Sequence, residues 1–328
     1  MKICIVKLSA MGDIIHAMVA LQFIKKHYPE ISIDWIVESA FAPLLQNNPH
    51  INAILPLNLK SIKKKKSNIF TQYRLVKEYA KNNYDLVIDA QGLLKSALVT
   101  KFLGAKKTAG FDKDSIREGI AALFYDTKIS IAYDQNTIDR NVKVLCSPLS
   151  FEVSSQKIIE KEPFLFSAAT EKKGVDTQKQ YLLFVIGSTW QSRNYPKEHF
   201  VAIAQELKMQ SYVVWGSQEE YEKALWMQER SPYITLLPKC TLDELKFVIS
   251  NAKLLIGNDT GPTHMAWGLN KASITLFGPT PLNRIYITPI NKAIKSSSKV
   301  DHYKLDKNDF SIAEISPQEV VDLARTLL

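Results

Sequence analysis

Three polar loops in this chain hold side chains able to do chemistry. The first lies in LLIGNDTGPTHMAWGLNKASITLFGPTP, residues 254–281, where Asp259, Thr260, Gly261 and His264 follow an apolar run. Pro262 stands where a helix would begin, so the loop reads as a helix N-terminus just past a buried parallel strand. Unpaired N–H groups and the helix dipole make such an end a ready cradle for a diphosphate. A capped helix with no ligand accounts for the same residues. The second loop follows another apolar run and holds Ser188, Thr189 and Arg193. Hydroxyls and a guanidinium suit a diphosphate, because arginine donates in a bidentate fork. Glu220, after Trp215 and Gly216, is placed to accept from a ribose diol. A plain polar loop and a solvated first turn are the simpler accounts of these two. The third loop, at the end of the first strand, carries Gly12, a candidate donor contact, and Asp13. Its lone carboxylate is a candidate general base or a helix cap.

Basic residues form a fourth group. Lys60, Lys63, Lys64, Lys65 and Lys66 cluster in one charged surface loop, and Lys95, Arg117 and Arg140 follow. They could hold phosphates and carboxylates of an anionic partner, or simply solvate the surface. The run has no aromatic residue for base stacking, which argues against nucleic acid. Residues 1–166 hold 23 Lys and Arg against 16 Asp and Glu, a net of +7, and the rest of the chain adds only +2. Asp112 and Asp114 have a metal-binding spacing but lack further ligands. The six histidines and three cysteines form no metal motif, so no metal, cofactor or disulfide is expected. A reduced, cytosolic chain follows. The start has no signal-peptide pattern and no run reaches membrane-spanning length.

Repeated strand and helix patterns position these loops. Strands are expected at 2–6, 32–37, 53–57 and 85–89, with helices at 14–27, 41–46 and 69–81, and another from about 95 to 102 stopped by Gly104. The pattern loosens over 151–180 and then restarts. Strands at 181–186, 212–215, 234–237, 254–256 and 273–277 alternate with helices, two of them opened by Thr241 with Glu244 and Ser316 with Glu319 as capping boxes. Such alternation means two doubly wound, Rossmann-like α/β domains with parallel sheets, facing across a cleft. The boundaries expected are 1–165 for an acceptor-binding domain and 166–328 for a donor-binding domain, with the C-terminal helix a candidate to pack back on the first.

KLSAMGDIIHAMVAL at the start, the loop ending Arg193, Asn194, Tyr195, Pro196, Trp215–Gly216 followed by acids, and NDTGPTHMAWGLNKASITLFGPT together resemble the ADP-heptose:lipopolysaccharide heptosyltransferases, the type I enzymes most. REGIAALFYD (117–126) and DRN (139–141) add to the likeness. The resemblance implies a GT-B fold and metal-independent, inverting transfer of L-glycero-D-manno-heptose from ADP-heptose to the inner Kdo of Kdo2-lipid A. It implies Asp13 as base, with Ser188, Thr189, Glu220, Asp259, Thr260, Gly261 and His264 around the donor. Arg193 stands where the family usually has lysine. A peripheral place on the cytoplasmic face of the inner membrane is expected. The competing readings are type II or III acceptor specificity, or a nucleotide-sugar-binding protein without catalysis. An NAD-dependent oxidoreductase is disfavoured, because no glycine fingerprint follows the first strand.

Overall fold

Apolar runs too short for helices become fully covered strands. Ile3, Cys4, Ile5 and Val6 are all solvent-free, which only a parallel sheet covered on both faces allows. The computed structural model describes residues 1–328 and divides into two units, Met1–Phe164 and Leu165–Leu328.

The first unit has strands β1 (Lys2–Val6), β2 (Ser32–Glu38), β3 (Ala53–Leu57), β4 (Leu86–Asp89), β5 (Lys107–Phe111) and β6 (Thr127–Ile129). Its helices are α1 (Met11–Met18), α2 (Ala20–His27), α3 (Ala42–Leu45), α4 (Ser61–Lys64), α5 (Asn68–Ala80), α6 (Leu94–Leu103), α7 (Thr137–Cys146) and α8 (Ser155–Ile159). The strands form one sheet in the order β3-β2-β1-β4-β5-β6, every pair parallel. Val76 of α5 and Val99 and Leu103 of α6 pack with Cys4, Val6 and Val87. Helices α1 and α2 pack instead on α7.

The second unit has strands β7 (Leu182–Val185), β8 (Ser211–Val214), β9 (Ile234–Leu236), β10 (Leu254–Asn258), β11 (Ser273–Phe277) and β12 (Asn291–Lys295). Its helices are α9 (Lys197–Leu207), α10 (Gln218–Gln228), α11 (Leu242–Asn251), α12 (Gly261–Gly268) and α13 (Pro317–Arg325). The sheet order is β12-β11-β10-β7-β8-β9, again all parallel. Each sheet therefore reverses direction between its first and fourth strands: β1 and β4 in one, β7 and β10 in the other. Ligands bind outside the carboxyl ends of the strands at such a reversal.

The α/β class and the two doubly wound units are as expected, and several local expectations are corrected. The helix expected over 14–27 begins earlier, at Met11, and is two helices broken at Val19. The lysine-rich loop contains α4, because Ser61 to Lys64 are competent helix formers. Thr241 and Glu244 do form a reciprocal capping box. Ser316 instead accepts from Gln318, so Glu319 takes no part in that cap. The last helix lies within the second unit. Val320, Val321 and Ala324 of α13 lie in that unit's core, and α13 packs on α9.

Candidate functional site

In the second unit the polar residues gather at the carboxyl ends of β7 and β10. Asn258, the last residue of β10, ties the two loops together. Its amide donates to the Ile186 carbonyl at 2.8 Å and accepts from the Tyr195 N–H at 3.0 Å. Asp259 comes next and is buried. One carboxylate oxygen meets His264 Nε2 at 3.0 Å. The other accepts from Thr280 Oγ1 at 2.9 Å and pairs with an Arg193 nitrogen at 2.8 Å. The same nitrogen donates to the Asp259 carbonyl. Burial opposes ionisation of Asp259. The His264 hydrogen bond and the charges of Arg193 and Arg284 outweigh it and hold the carboxyl well below the usual carboxylate range.

Asp259 and His264 are buried and bonded to each other. Asp259 also holds the Arg193 guanidinium in place. Thr260 keeps an extended backbone before α12 and makes no side-chain cap, and Gly261 is the first helical residue. Pro262 is therefore the second, not the first. Ser188 Oγ is buried with no protein partner, and Thr189 beside it is exposed. Arg193 also lies over the Trp190 ring at 5.6 Å, with Lys307 over the same ring at 5.0 Å.

Glu220 is half-buried in the first turn of α10 and accepts the Gly216 N–H at 2.7 Å. A Cβ built on Gly187 would fall 2.1 Å from the Glu220 carboxyl group, so the carboxylate lies directly against bare backbone at the end of β7. Gly187→Ala should displace Glu220. The expected result is a KM for the nucleotide-bearing substrate raised about tenfold, equivalent to 1.4 kcal/mol, with the melting temperature measured alongside.

In the first unit the corresponding loops follow β1 and β4. Asp13 is half-buried in the first turn of α1 and accepts the Ala10 N–H at 3.2 Å. It therefore lies at the third helical position and caps the helix from there, through the Ala10 N–H. The loop before it is held from β4: Gln91 Oε1 accepts the N–H groups of Leu8 and Ser9 at 3.1 and 3.0 Å. Gln91 is fixed in turn by Asp89, whose carboxylate accepts the Gln91 and Gly92 N–H groups and the Tyr125 hydroxyl. Gly92 has φ +69°, and a Cβ there would fall 2.6 Å from Ile116, so only glycine fits. Lys7 is buried, and its ammonium donates to the Ala90 carbonyl at 2.7 Å. Burial lowers its pKa, opposed by the charges of Asp13 and Asp89.

The basic residues separate into three sets. Lys60 and Lys95 both reach the field of buried Glu38 at the end of β2, where burial raises the carboxyl pKa and the two lysines pull it back. Lys63, Lys64, Lys65, Lys66 and Arg117 are exposed. Arg140 is the correction. It is buried, it donates to the carbonyls of Ser115, Ile131 and Ala132, and it stacks on Phe111 and Tyr133. It clasps two loops and is not a surface ligand. Arg140→Met should lower stability by about 3 kcal/mol, read by denaturant titration, without moving the KM for any anionic substrate.

Arg284, Asp89 and Glu38 were not singled out from the sequence. Gly187, Gln91 and Thr280 stood only in loops after apolar runs, with no role of their own. No group of three His, Cys, Asp or Glu side chains is arranged to hold a metal ion, and no helix is long and apolar enough to cross a membrane.

Comparison with known proteins bears on the same site. The profile of glycosyltransferase family 9 (heptosyltransferase) matches residues 72–311. Lipopolysaccharide heptosyltransferase 1 of Campylobacter coli is 36% identical across 100% of this chain and 99% of its own length. Its Escherichia coli K12 counterpart is 29% identical over 85% of this chain and 88% of its own. Among solved structures, E. coli heptosyltransferase WaaC with ADP-2-deoxy-2-fluoro heptose superposes with a TM-score of 0.82 at 26% identity, covering 99% of each chain.

Proposed function

Because the chain belongs to glycosyltransferase family 9 (heptosyltransferase), we propose that it moves L-glycero-D-manno-heptose from ADP-heptose to the inner Kdo of Kdo2-lipid A. The observation that carries the reading is Arg193, fixed by Asp259 just before the start of α12. That is a positive, preorganised end for a leaving diphosphate, and Glu220, against the Gly187 backbone, suits the ribose diol. The solved relative held an ADP-heptose analogue, which supports the same donor here.

The reaction is a single displacement. A hydroxyl oxygen of the acceptor attacks the anomeric carbon from the face opposite ADP. Its proton passes to the Asp13 carboxylate as the new C–O bond forms and the bond to the diphosphate breaks. One displacement inverts the centre, so no covalent sugar–enzyme intermediate forms. Arg193, Ser188, Thr189 and the Thr260–Gly261 backbone take up the charge growing on the diphosphate, which requires no metal. Gly12 keeps the backbone beside the base open. Lys60 and Lys95, with the lysines of 63–66 and Arg117, attract the acidic acceptor. The acceptor is a lipid, so the enzyme works peripherally at the cytoplasmic face of the inner membrane.

The test is to mix ADP-heptose with Kdo2-lipid A and measure product mass and ADP release together. One heptose added per ADP released is expected. ADP release only with an already heptosylated acceptor would move the chain to type II or III specificity, and no release with either would leave a binding protein.

A further inference from the structure

Helix α6 is apolar on both sides. Ala97, Val99 and Leu103 enter the core, while Leu94, Leu98 and Phe102, four residues apart, form a stripe on the solvent side. The neighbouring elements extend it. Tyr73 of α5 stands edge-on to Phe102, with ring centroids 5.2 Å apart. Ile69 and Phe70, one turn back, are exposed, Phe70 at 69%. On the other side α6 packs against the 3-10 turn Gly119–Phe124, whose Ile120 and Leu123 are exposed, Leu123 at 75%. Eight large apolar side chains therefore face solvent on three adjoining elements. None of them belongs to the site described above.

The same segment is strongly basic. Residues 60–117 hold 14 Lys and Arg against 5 Asp and Glu, a net of +9, which equals the net charge of the whole chain. Arg74, Lys77 and Lys101 are exposed within the apolar stripe, and the lysines at 63–66 flank it at the end of α4 and just past it. A second copy of the chain would bring the same charge against itself, which disfavours self-association through this face. An anionic lipid surface complements both features at once. Phosphates meet the lysines, and the aromatic and aliphatic tips enter the boundary of the acyl region.

We infer that the face formed by α5, α6 and Gly119–Phe124 docks the enzyme on an anionic bilayer. This deepens the peripheral placement proposed above and rests on it.

The test is sedimentation with vesicles of phosphatidylcholine containing about 30% phosphatidylglycerol, at several salt concentrations. The wild-type chain should bind, more weakly as salt rises. The triple variant Phe70→Ser, Leu98→Ser, Leu123→Ser should bind about tenfold more weakly or worse. The variant Arg74→Gln, Lys77→Gln, Lys101→Gln should lose roughly a hundredfold, at about fivefold per charge. It also decides the matter if the serine variant melts early. Both should keep transfer to a detergent-dispersed acceptor, so a failed docking face is told apart from a failed reaction. Wild-type protein that ignores the vesicles, or variants that bind as well as wild type, would overturn the inference. So would a lipid-free dimer that the serine substitutions split.

Discussion

Asp13→Asn should lower kcat by about 10²–10⁴, the usual contribution of a positioned general base. ADP-heptose affinity should stay unchanged, because the residues proposed to hold its diphosphate and ribose all lie in the second unit. Asparagine still has an oxygen to accept the Ala10 N–H, so the first turn of α1 should keep its form. The substitution thus separates proton acceptance from helix structure. Near-normal turnover would remove Asp13 from the mechanism. Gln91 gives an internal control, since it holds the Leu8 and Ser9 backbone of the loop before Asp13. Gln91→Ala should reduce kcat less than Asp13→Asn does.

The pair of Arg193 and Asp259 gives the second large effect. Arg193→Ala should cost about 10²–10³ in kcat, or about 2.7–4 kcal/mol of transition-state stabilisation, as the loss of one preorganised donor does. Arg193→Lys should recover part of it by restoring charge without the fork. Asp259→Asn should be as damaging to activity and should also lower stability by about 3–5 kcal/mol, because it leaves a guanidinium without its carboxylate. The pH dependence has a definite sign. The Asp259 carboxyl titrates lower in the folded chain than in the unfolded one. Its stabilisation is therefore fully present above about pH 4 and is lost as pH falls below that. Acid unfolding of the Asp259→Asn variant should show a shallower slope than wild type. An identical slope would mean that the pair does not stabilise the fold.

The sequence exposed the fold where covered strands and short loops make a strong rhythm, and left it hidden where they do not. The strand Ser273–Phe277 is where the apolar run placed it. Strand β6 has three residues, Thr127, Lys128 and Ile129, of which two are exposed at the sheet edge, so no apolar run announces it. Strand β12 carries Lys292 and Lys295 for the same reason, and β5 is interrupted by Gly110. Arg140 shows the limit for the site. An arginine in a basic segment reads as a surface cation, and only packing reveals three carbonyls around it. Arg193 and Asp259 are 66 residues apart. Each was legible as a polar residue after a strand, but their pairing depends on β7 and β10 being neighbours, which no local pattern states.

That the same strand order occurs twice has a consequence for inheritance of specificity. Each half of the chain carries its own core and its own pair of loops at a reversal point. In the reading given above, one half selects what is attacked by and the other what is delivered. Changes in either need not disturb its companion. A chimaera joining Leu165–Leu328 to the first half of a relative with a different acceptor should keep this chain's donor and take the relative's acceptor. New sugar linkages could then arise by exchange of halves, with neither binding site rebuilt.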